Sequence, residues 1–312
     1  MRRYLTLDGG TTNTRIRLVC DGEIVDTVKI SKGARANMEE KGSLDLAVRD
    51  AIEELLSHNH LVPGDISRIL ASGMVTSEFG LCSLAHTVAP AGIAELHESM
   101  HEVTLSHISP IPFVFIRGVR LAGDEWMRAD MMRGEEAELV GIGDGVPNTL
   151  YVLPCSHSKL VLTDECGRIC DFSTMLTGEM IYALASSTIL KDAVDLSLSS
   201  FEEQKLIEGY RYAKQRGINE ALFKVRILKN LYSLDAVECY SFFLGAVLAD
   251  EITAIQGSTA TRVVIGGKSQ IKNATKILLC SCGCEKEIVL LSDEEVERST
   301  TVGMLRIYEY RS

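Results

Sequence analysis

The 312-residue sequence has no apolar run approaching the roughly 20 residues that a bilayer-spanning helix needs. A surplus of positive charge is missing as well. There are 32 Lys and Arg against 43 Asp and Glu, a formal charge of −11, which argues against a nucleic-acid or anionic-membrane surface. A small anionic ligand is not excluded, because it needs only a local positive field. Proline is scarce, at 6 residues, and neither Pro/Ser-rich linkers nor low-complexity tracts interrupt the chain. The nine cysteines, an odd number scattered from Cys20 to Cys284, fit free thiols in a reducing compartment better than a disulfide framework. The opening Met1-Arg2-Arg3-Tyr4 leads into a strand-like segment with Asp8 inside it and does not read as a signal peptide. What is present is an ordinary globular composition, 46% hydrophobic and 24% charged. At about 150 residues per domain the length predicts two domains. The expectation is a cytoplasmic protein without nucleic-acid or membrane partners; a homodimer is left open.

Two segments of the chain repeat one pattern. Tyr4 to Asp8 is strand-like, stops at Gly9-Gly10-Thr11-Thr12-Asn13, resumes over Arg15 to Cys20, turns at Asp21-Gly22 and runs on through Val28. This predicts a three-stranded antiparallel meander, with Asp-Gly marking its second turn. About 145 residues later Leu150 to Pro154, Lys159 to Thr163 and Arg168 to Phe172 repeat it around the turns Cys155-Ser156-His157-Ser158 and Asp164-Glu165-Cys166-Gly167. Helices are expected after Ser43, over about Thr177 to Leu190, from a capping box at Ser200 and Glu203 to Gly217, over about Asp235 to Gln256, and at the end of the chain. Strands are expected at Arg68 to Ala71, Arg262 to Ile265 and Glu287 to Leu291. Two α/β halves facing one another would form a cleft, the usual place for a ligand.

The first turn, Asp8 to Asn13, has the makings of a phosphate site. Its glycines let backbone approach an anion, Thr11 and Thr12 add hydroxyls, and Asp8 could hold Mg²⁺ through water. A plain glycine-rich hairpin explains the same residues on their own. The second turn tilts the balance, since Ser156, His157, Ser158 and Lys159 gather hydroxyls and a cation at the matching place. Gly267-Lys268-Ser269 ends like a P-loop, but the spacing requires glycine where Arg262 stands. A Gly266-Gly267 turn after a strand still suits a nucleoside lying on bare backbone. Gly141 to Gly145 reads as a linker rather than a dinucleotide fingerprint, and Cys280, Cys282 and Cys284 are poorly spaced for zinc. His58, His60, His86, His97, His101 and His107 show no ligand-like pairing and read as surface or satisfied core residues. In Asp130 to Leu139 the acids either serve the dipole of a helix beginning near Glu135 or include a general base, with Arg133 suited to gripping a carboxylate.

Taken together, Asp8 to Arg15 (DGGTTNTR), Ser72 to Ser77 (SGMVTS), Met132 to Gly141 (MRGEEAELVG), Tyr151 to Lys159 (YVLPCSHSK) and Asp171 to Glu179 (DFSTMLTGE) resemble the 2-dehydro-3-deoxygalactonokinase family of the sugar kinase/Hsp70/actin superfamily. The resemblance implies an α/β fold of two related ribonuclease-H-like (actin-like ATPase) domains with an interdomain cleft. Residues 1–143 would carry the first phosphate hairpin and the sugar-acid site, and residues 144–312 the second hairpin and the adenosine turn. It implies ATP- and Mg²⁺-dependent phosphorylation of 2-dehydro-3-deoxy-D-galactonate at its 6-hydroxyl. Glu135 matches the base, with Asp130 in reserve. Asp8, Gly10, Thr11, Thr12, Asn13, Ser156, His157, Ser158 and Lys159 fall at the phosphates, Asp8 also at the metal. Gly266 and Gly267 fall at the adenosine, and Met74, Thr76, Ser77, Arg133 and Glu136 at the sugar acid. The chain departs from the family at Gly9, usually bulky; at Cys155-Ser156, usually Gly-Thr; at Leu160, usually Trp; and over Gly80-Leu81-Cys82-Ser83. Two other readings follow from the departures: a nucleotide-binding sensor without transfer chemistry, and a kinase for a different keto-sugar acid.

Overall fold

The computed structural model describes residues 2–123, 126–267 and 269–311. The chain divides into two compact units. Unit 1 comprises residues 1–146, 164–171 and 294–312; unit 2 comprises residues 147–163 and 172–293.

In unit 1 the expected meander forms as β1 (Arg3–Gly9), β2 (Thr14–Cys20) and β3 (Glu23–Ile30). Both turn residues between β2 and β3, Asp21 and Gly22, have positive φ, the geometry that makes Asp-Gly a hairpin signal. Helices α1 (Ala34–Glu39) and α2 (Ser43–His58) follow. The spacing of Leu44, Val48, Ile52 and Leu55 puts one apolar face of α2 on the sheet, where it meets Leu5, Leu7, Ile16 and Leu18. Beyond it come β4 (Arg68–Gly73), β5 (Thr87–Val88), α3 (Ile93–Glu98), β6 (His101–Val103), β7 (Phe113–Phe115), β8 (Val119–Arg120), β9 (Met131–Met132) and α4 (Glu135–Ile142). The main sheet runs in the order β3-β2-β1-β4-β7-β6, and β5-β8-β9 form a separate small sheet.

Unit 2 repeats the plan with β10 (Thr149–Leu153), β11 (Ser158–Thr163), β12 (Ile169–Met175, of which Phe172 onward belongs to unit 2), β13 (Arg262–Ile265) and β14 (Glu287–Leu290), in the order β12-β11-β10-β13-β14. Its helices are α5 (Thr177–Ser187), α6 (Glu203–Arg216), α7 (Ile218–Tyr232), α8 (Ala236–Gly257) and α9 (Ser269–Ser281). Buried nearly all round, α8 centres the core with Phe243, Leu244, Leu248 and Ile252. The last helix, α10 (Asp293–Glu309), belongs to unit 1 from Glu294 onward.

Five strands of the first sheet match the five of the second in order, β6 being the addition, and the match extends to the turns. Gly73 ends β4 with φ +89°, and a side chain there would strike the Gly9 carbonyl at the end of β1. Gly267, with φ +78°, stands in the same relation to the carbonyl of Pro154 after β10. In both units only glycine lets the fourth strand turn away that close to the first.

Several boundaries differ from expectation. A split at residue 143 gives the last helix to the second half, yet α10 is bonded into unit 1. Arg17 Nη1 donates to Thr301 Oγ1 at 2.8 Å, Arg17 Nη2 to Glu297 Oε1 at 2.7 Å, and Arg306 reaches the carbonyls of Val140 and Gly141 at the end of α4. Gly141 is therefore helical rather than linker, and the division falls at Val146 and Pro147. Helix α6 is capped by Glu202, whose carboxylate accepts from the Gln204 and Lys205 amides, rather than by a Ser200 box. Helix α7 was not expected, because nothing but Gly217 at its N-cap marks its start. Helix α9 was not expected either, and Lys268 of the rejected P-loop lies outside the described residues.

Candidate functional site

In unit 1 the chemistry gathers where β1, β4 and α4 end or begin. Parallel pairing sets Asp8 beside Ser72 and Gly9 beside Gly73. The turn after β1 is closed by a Gly10 N–H bond to the Asn13 carbonyl at 2.8 Å, and α1 props it from behind. The Ala34 and Arg35 amides donate to the carbonyls of Gly10 and Thr11 at 3.1 and 3.0 Å. Gly10, Thr11, Thr12 and Asn13 are thereby left exposed at the tip. Asp8 is half-buried, with Arg15 Nη1 4.0 Å from its carboxylate. Burial pushes its carboxyl up, against the pull of Arg15 and Arg17.

The acids of α4 separate into roles. Glu135 opens the helix half-buried, one turn from Glu138 on the same face. Burial, then the charge of Glu135, then that of Asp8 push Glu138 up to about 8. Asp8, Glu135 and Glu138 thus form one electrostatic group, and Glu138 is its member that sequence reading missed. The i, i+3 spacing from Glu135 was the available signal. Glu136 is different: it is fully buried, accepts from Ser72 Oγ at 3.0 Å and from the Gly134 amide at 2.9 Å, and is pushed up to about 8 by burial and Glu135. Expected at the sugar acid, Glu136 instead fastens the α4 N-terminus to β4. Asp130 sits at the edge of the small sheet, where its Oδ1 accepts from the Met131 amide at 2.7 Å.

The expected sugar-acid residues are likewise engaged internally. Thr76 and Ser77 are buried, and their hydroxyls donate to the carbonyls of Gly73 and Met74 at 2.9 and 2.7 Å. Arg133 donates to Thr76 O, Thr76 Oγ1 and Leu84 O at 2.8 to 2.9 Å. The guanidinium therefore braces the 76–84 segment, and Met74, only partly buried, lies at its start. Nothing in single-residue chemistry announces such a brace, because its acceptors are backbone atoms remote in sequence. His86 also departs from a satisfied core residue. Its Nε2 is buried without a hydrogen bond among the described residues, and burial with Arg133 and Arg120 lowers its pKa to about 4.

In unit 2 the turn between β10 and β11 exposes Cys155 and Ser156, half-exposes His157 and buries Ser158 and Lys159. Cys155 Sγ donates to the His157 carbonyl at 2.9 Å, and Lys159 Nζ donates to Thr174 Oγ1 at 2.7 Å. Helix α5 abuts the turn: the Glu179 amide donates to the Ser156 carbonyl at 3.1 Å, and His157 Nε2 lies 3.1 Å from Glu179 Oε1. Gly266 and Gly267 follow β13, the Gly266 amide bonding to the Val152 carbonyl at 2.9 Å.

Among the described residues no group of three or more His, Cys, Asp or Glu side chains is arranged to hold a metal ion, and no helix is long and apolar enough to cross a membrane. A Mg²⁺ that travels with a nucleotide needs less, one or two carboxylates beside phosphate oxygens and water. Asp8, with Glu138 near enough to feel its charge, meets that requirement: burial disfavours the ionised form of both carboxyls, and a bound cation would favour it.

The model of a family described as 2-keto-3-deoxy-galactonokinase matches residues 8–307. The 2-dehydro-3-deoxygalactonokinase of Escherichia coli K12 is 24% identical over 264 residues, 83% of this chain and 82% of that protein. A Sinorhizobium meliloti crystal structure, described as that of a "putative 2-dehydro-3-deoxygalactonokinase protein", superposes with a TM-score of 0.79 at 19% identity, covering 99% of this chain and 98% of that one. The activator of 2-hydroxyisocaproyl-CoA dehydratase from Clostridium difficile, solved with ADPNP, gives a TM-score of 0.51 at 14% identity over 98% and 95% of the two chains. At those identities the two structures bear on the fold alone: α/β, with mixed sheets.

Proposed function

The chain belongs to the 2-keto-3-deoxy-galactonokinase family and is a sugar-acid kinase that uses ATP, and on that premise we propose how its residues divide the work. The reaction is transfer of the γ-phosphoryl group of ATP to the 6-hydroxyl of 2-dehydro-3-deoxy-D-galactonate, giving the 6-phosphate and ADP. The two units are read as actin-like ATPase domains, and the protein as cytoplasmic.

Glu135 is the general base. A hydroxyl attacking phosphorus must lose its proton to a carboxylate within hydrogen-bond reach. The observation that carries the assignment is the position of Glu135 as the first residue of α4, half-buried and close to Glu138, which in turn feels the charge of Asp8 at the end of β1. The helix dipole favours a carboxylate there, and the buried Glu136 fixes the start of the helix through Ser72 and Gly134. Asp8, with Glu138 near it, would hold Mg²⁺, which when bound offsets charge on the transferring phosphoryl group. The exposed backbone and hydroxyls of Gly10 to Asn13, and the turn running from the exposed Ser156 through His157 and Ser158 to the buried Lys159, hold phosphate oxygens. Gly266 and Gly267 let the adenosine lie close to backbone. Arg133 acts on the sugar acid through the loop it braces, with Met74, Thr76 and Ser77 shaping that wall.

A coupled assay of ADP release across 2-keto-3-deoxy acids and aldonates tests the substrate. ATP binding with no sugar-dependent ADP release from any of them would favour a sensor instead. For the base, Glu135→Gln is expected to lower kcat by about 10²–10⁴ while leaving ATP binding in place. Undiminished turnover in that variant removes Glu135 from the role.

A further inference from the structure

A second buried carboxyl, on the other unit, is used by none of these steps. Glu251 sits in the second half of α8, a helix whose buried side chains are mostly apolar, with 1% of its surface exposed. Burying a carboxyl in such a place is costly unless its oxygens are bonded, and a stability role alone is served better by an apolar residue of similar size. Thr177 Oγ1, on the first residue of α5, donates to Glu251 Oε2 at 2.6 Å. Ser158, the fully buried first residue of β11, stands on the same carboxyl. Its hydroxyl and that of Thr177 offset the upward push of burial. The Ser158 contact is the looser one, since Ser158 Oγ and Glu251 Oε1 fall outside hydrogen-bond geometry among the described residues.

Thr177 and Ser158 frame the turn on which the second phosphate contact depends. Immediately after Thr177, Gly178 presses on the backbone of Cys155 and Ser156 so closely that any side chain would overlap the Cys155 carbonyl. The next residue, Glu179, bonds the Ser156 carbonyl through its amide and faces His157 through its carboxylate. A displacement of Thr177 is therefore passed to the turn without slack.

We propose that Glu251 is a positioning residue for the phosphate hairpin of unit 2, holding the start of α5 and the start of β11 to one buried carboxyl so that the Cys155 to Lys159 turn keeps the shape that receives phosphate. This rests on the reading of that turn as an ATP contact. Its consequence is specific to the nucleotide, because the hydroxyl that Glu251 bonds, on Thr177, and the one that faces it, on Ser158, belong to the hairpin and its supporting helix.

The test uses the full chain and steady-state kinetics with each substrate varied. Glu251→Ala is expected to raise the KM for ATP about tenfold while leaving the KM for the sugar acid within about twofold. Glu251→Gln, which keeps an acceptor for Thr177 and gains a donor for Ser158, restores most of the ATP affinity. Thr177→Val breaks the same bond with little change of shape and supplies the test if the alanine variant does not fold. It is expected to repeat the effect on ATP. A fall in Tm with unchanged KM for ATP in the folded variants, or an equal rise in both KM values, overturns the proposal. Lys159→Ala separates the two levels. If it leaves the KM for ATP unchanged, the hairpin reading itself fails; if it raises that KM while Glu251→Ala and Thr177→Val do not, only the role of Glu251 fails.

Discussion

The two units share a sheet order and a glycine turn, yet they put opposite chemistry at the same backbone position. The register that pairs Gly9 with Gly73 in unit 1 continues the pairing of Val152 with Ile265 so that Pro154 meets Gly267 in unit 2. Asp8 thereby corresponds to Leu153. One unit carries a carboxylate there, with Glu135 and Glu138 nearby; the other carries an apolar residue and leaves recognition to hydroxyls and Lys159. The scaffold supplies strand ends and tight turns twice, and on the proposed reading both turns receive phosphate while the carboxylates of one copy alone serve cation and proton.

Exchanging the corresponding residues breaks that comparison most directly. Asp8→Leu, which installs the residue of unit 2, is expected to cut turnover about 100-fold or more with the fold retained. The reverse exchange, Leu153→Asp, buries a carboxylate at a position only 3% exposed and is expected to show as a drop in Tm of about 10 °C or more. Near-normal activity in the first variant dissolves the division of labour.

Gly73→Ala and Gly267→Ala test the shared part. Each forces a side chain into positive φ against a carbonyl, so each is expected to cost roughly 1–3 kcal/mol in unfolding experiments. A variant as stable as the parent would show that the two turns are not equivalent.

The acids of unit 1 predict a pH dependence for which Glu251 is the only comparable group described in unit 2. Glu136 and Glu138 are raised from 4.5 to about 8, so between those values the folded state binds more protons than the unfolded chain. Stability is therefore highest on the acid side of that window and declines as pH rises through it, by a few degrees in Tm. Glu138→Gln should flatten the decline, and Mg²⁺ with nucleotide should raise Tm more at the alkaline end. Melting curves with the opposite slope contradict the burial argument. The smallest effect is expected at Cys155→Gly, less than about threefold in the KM for ATP. Gly178 presses on the backbone of residue 155, and the thiol donates to the His157 carbonyl two residues on.

How legible these features were depended on their range. The meanders could be read because alternation and Asp21-Gly22 are local signals, and Glu135 could be placed because helix starts have local signatures. Glu136 could not be told from Glu135, since one residue along a helix is a rotation of about 100° and only packing says which face is inside. Arg133 looked like a ligand grip because its backbone acceptors at Thr76 and Leu84 lie far away in sequence. Glu251 gave no sign at all: in a helix buried nearly all round, one acid carries no periodic signal. The placement of α10 depended on Arg17, whose partners lie some 280 residues away.

That last packing has a consequence for synthesis. The chain passes from one unit to the other four times, and the final passage returns Glu294 onward to unit 1. During translation the meander of β1 to β3 emerges first, but Arg17 and Thr6 wait for Thr301, which leaves the ribosome only after every residue of unit 2. Unit 2 can close on its own segments while unit 1 still lacks its last helix. The half made first is finished last, because its closing helix is the last part of the chain to be made.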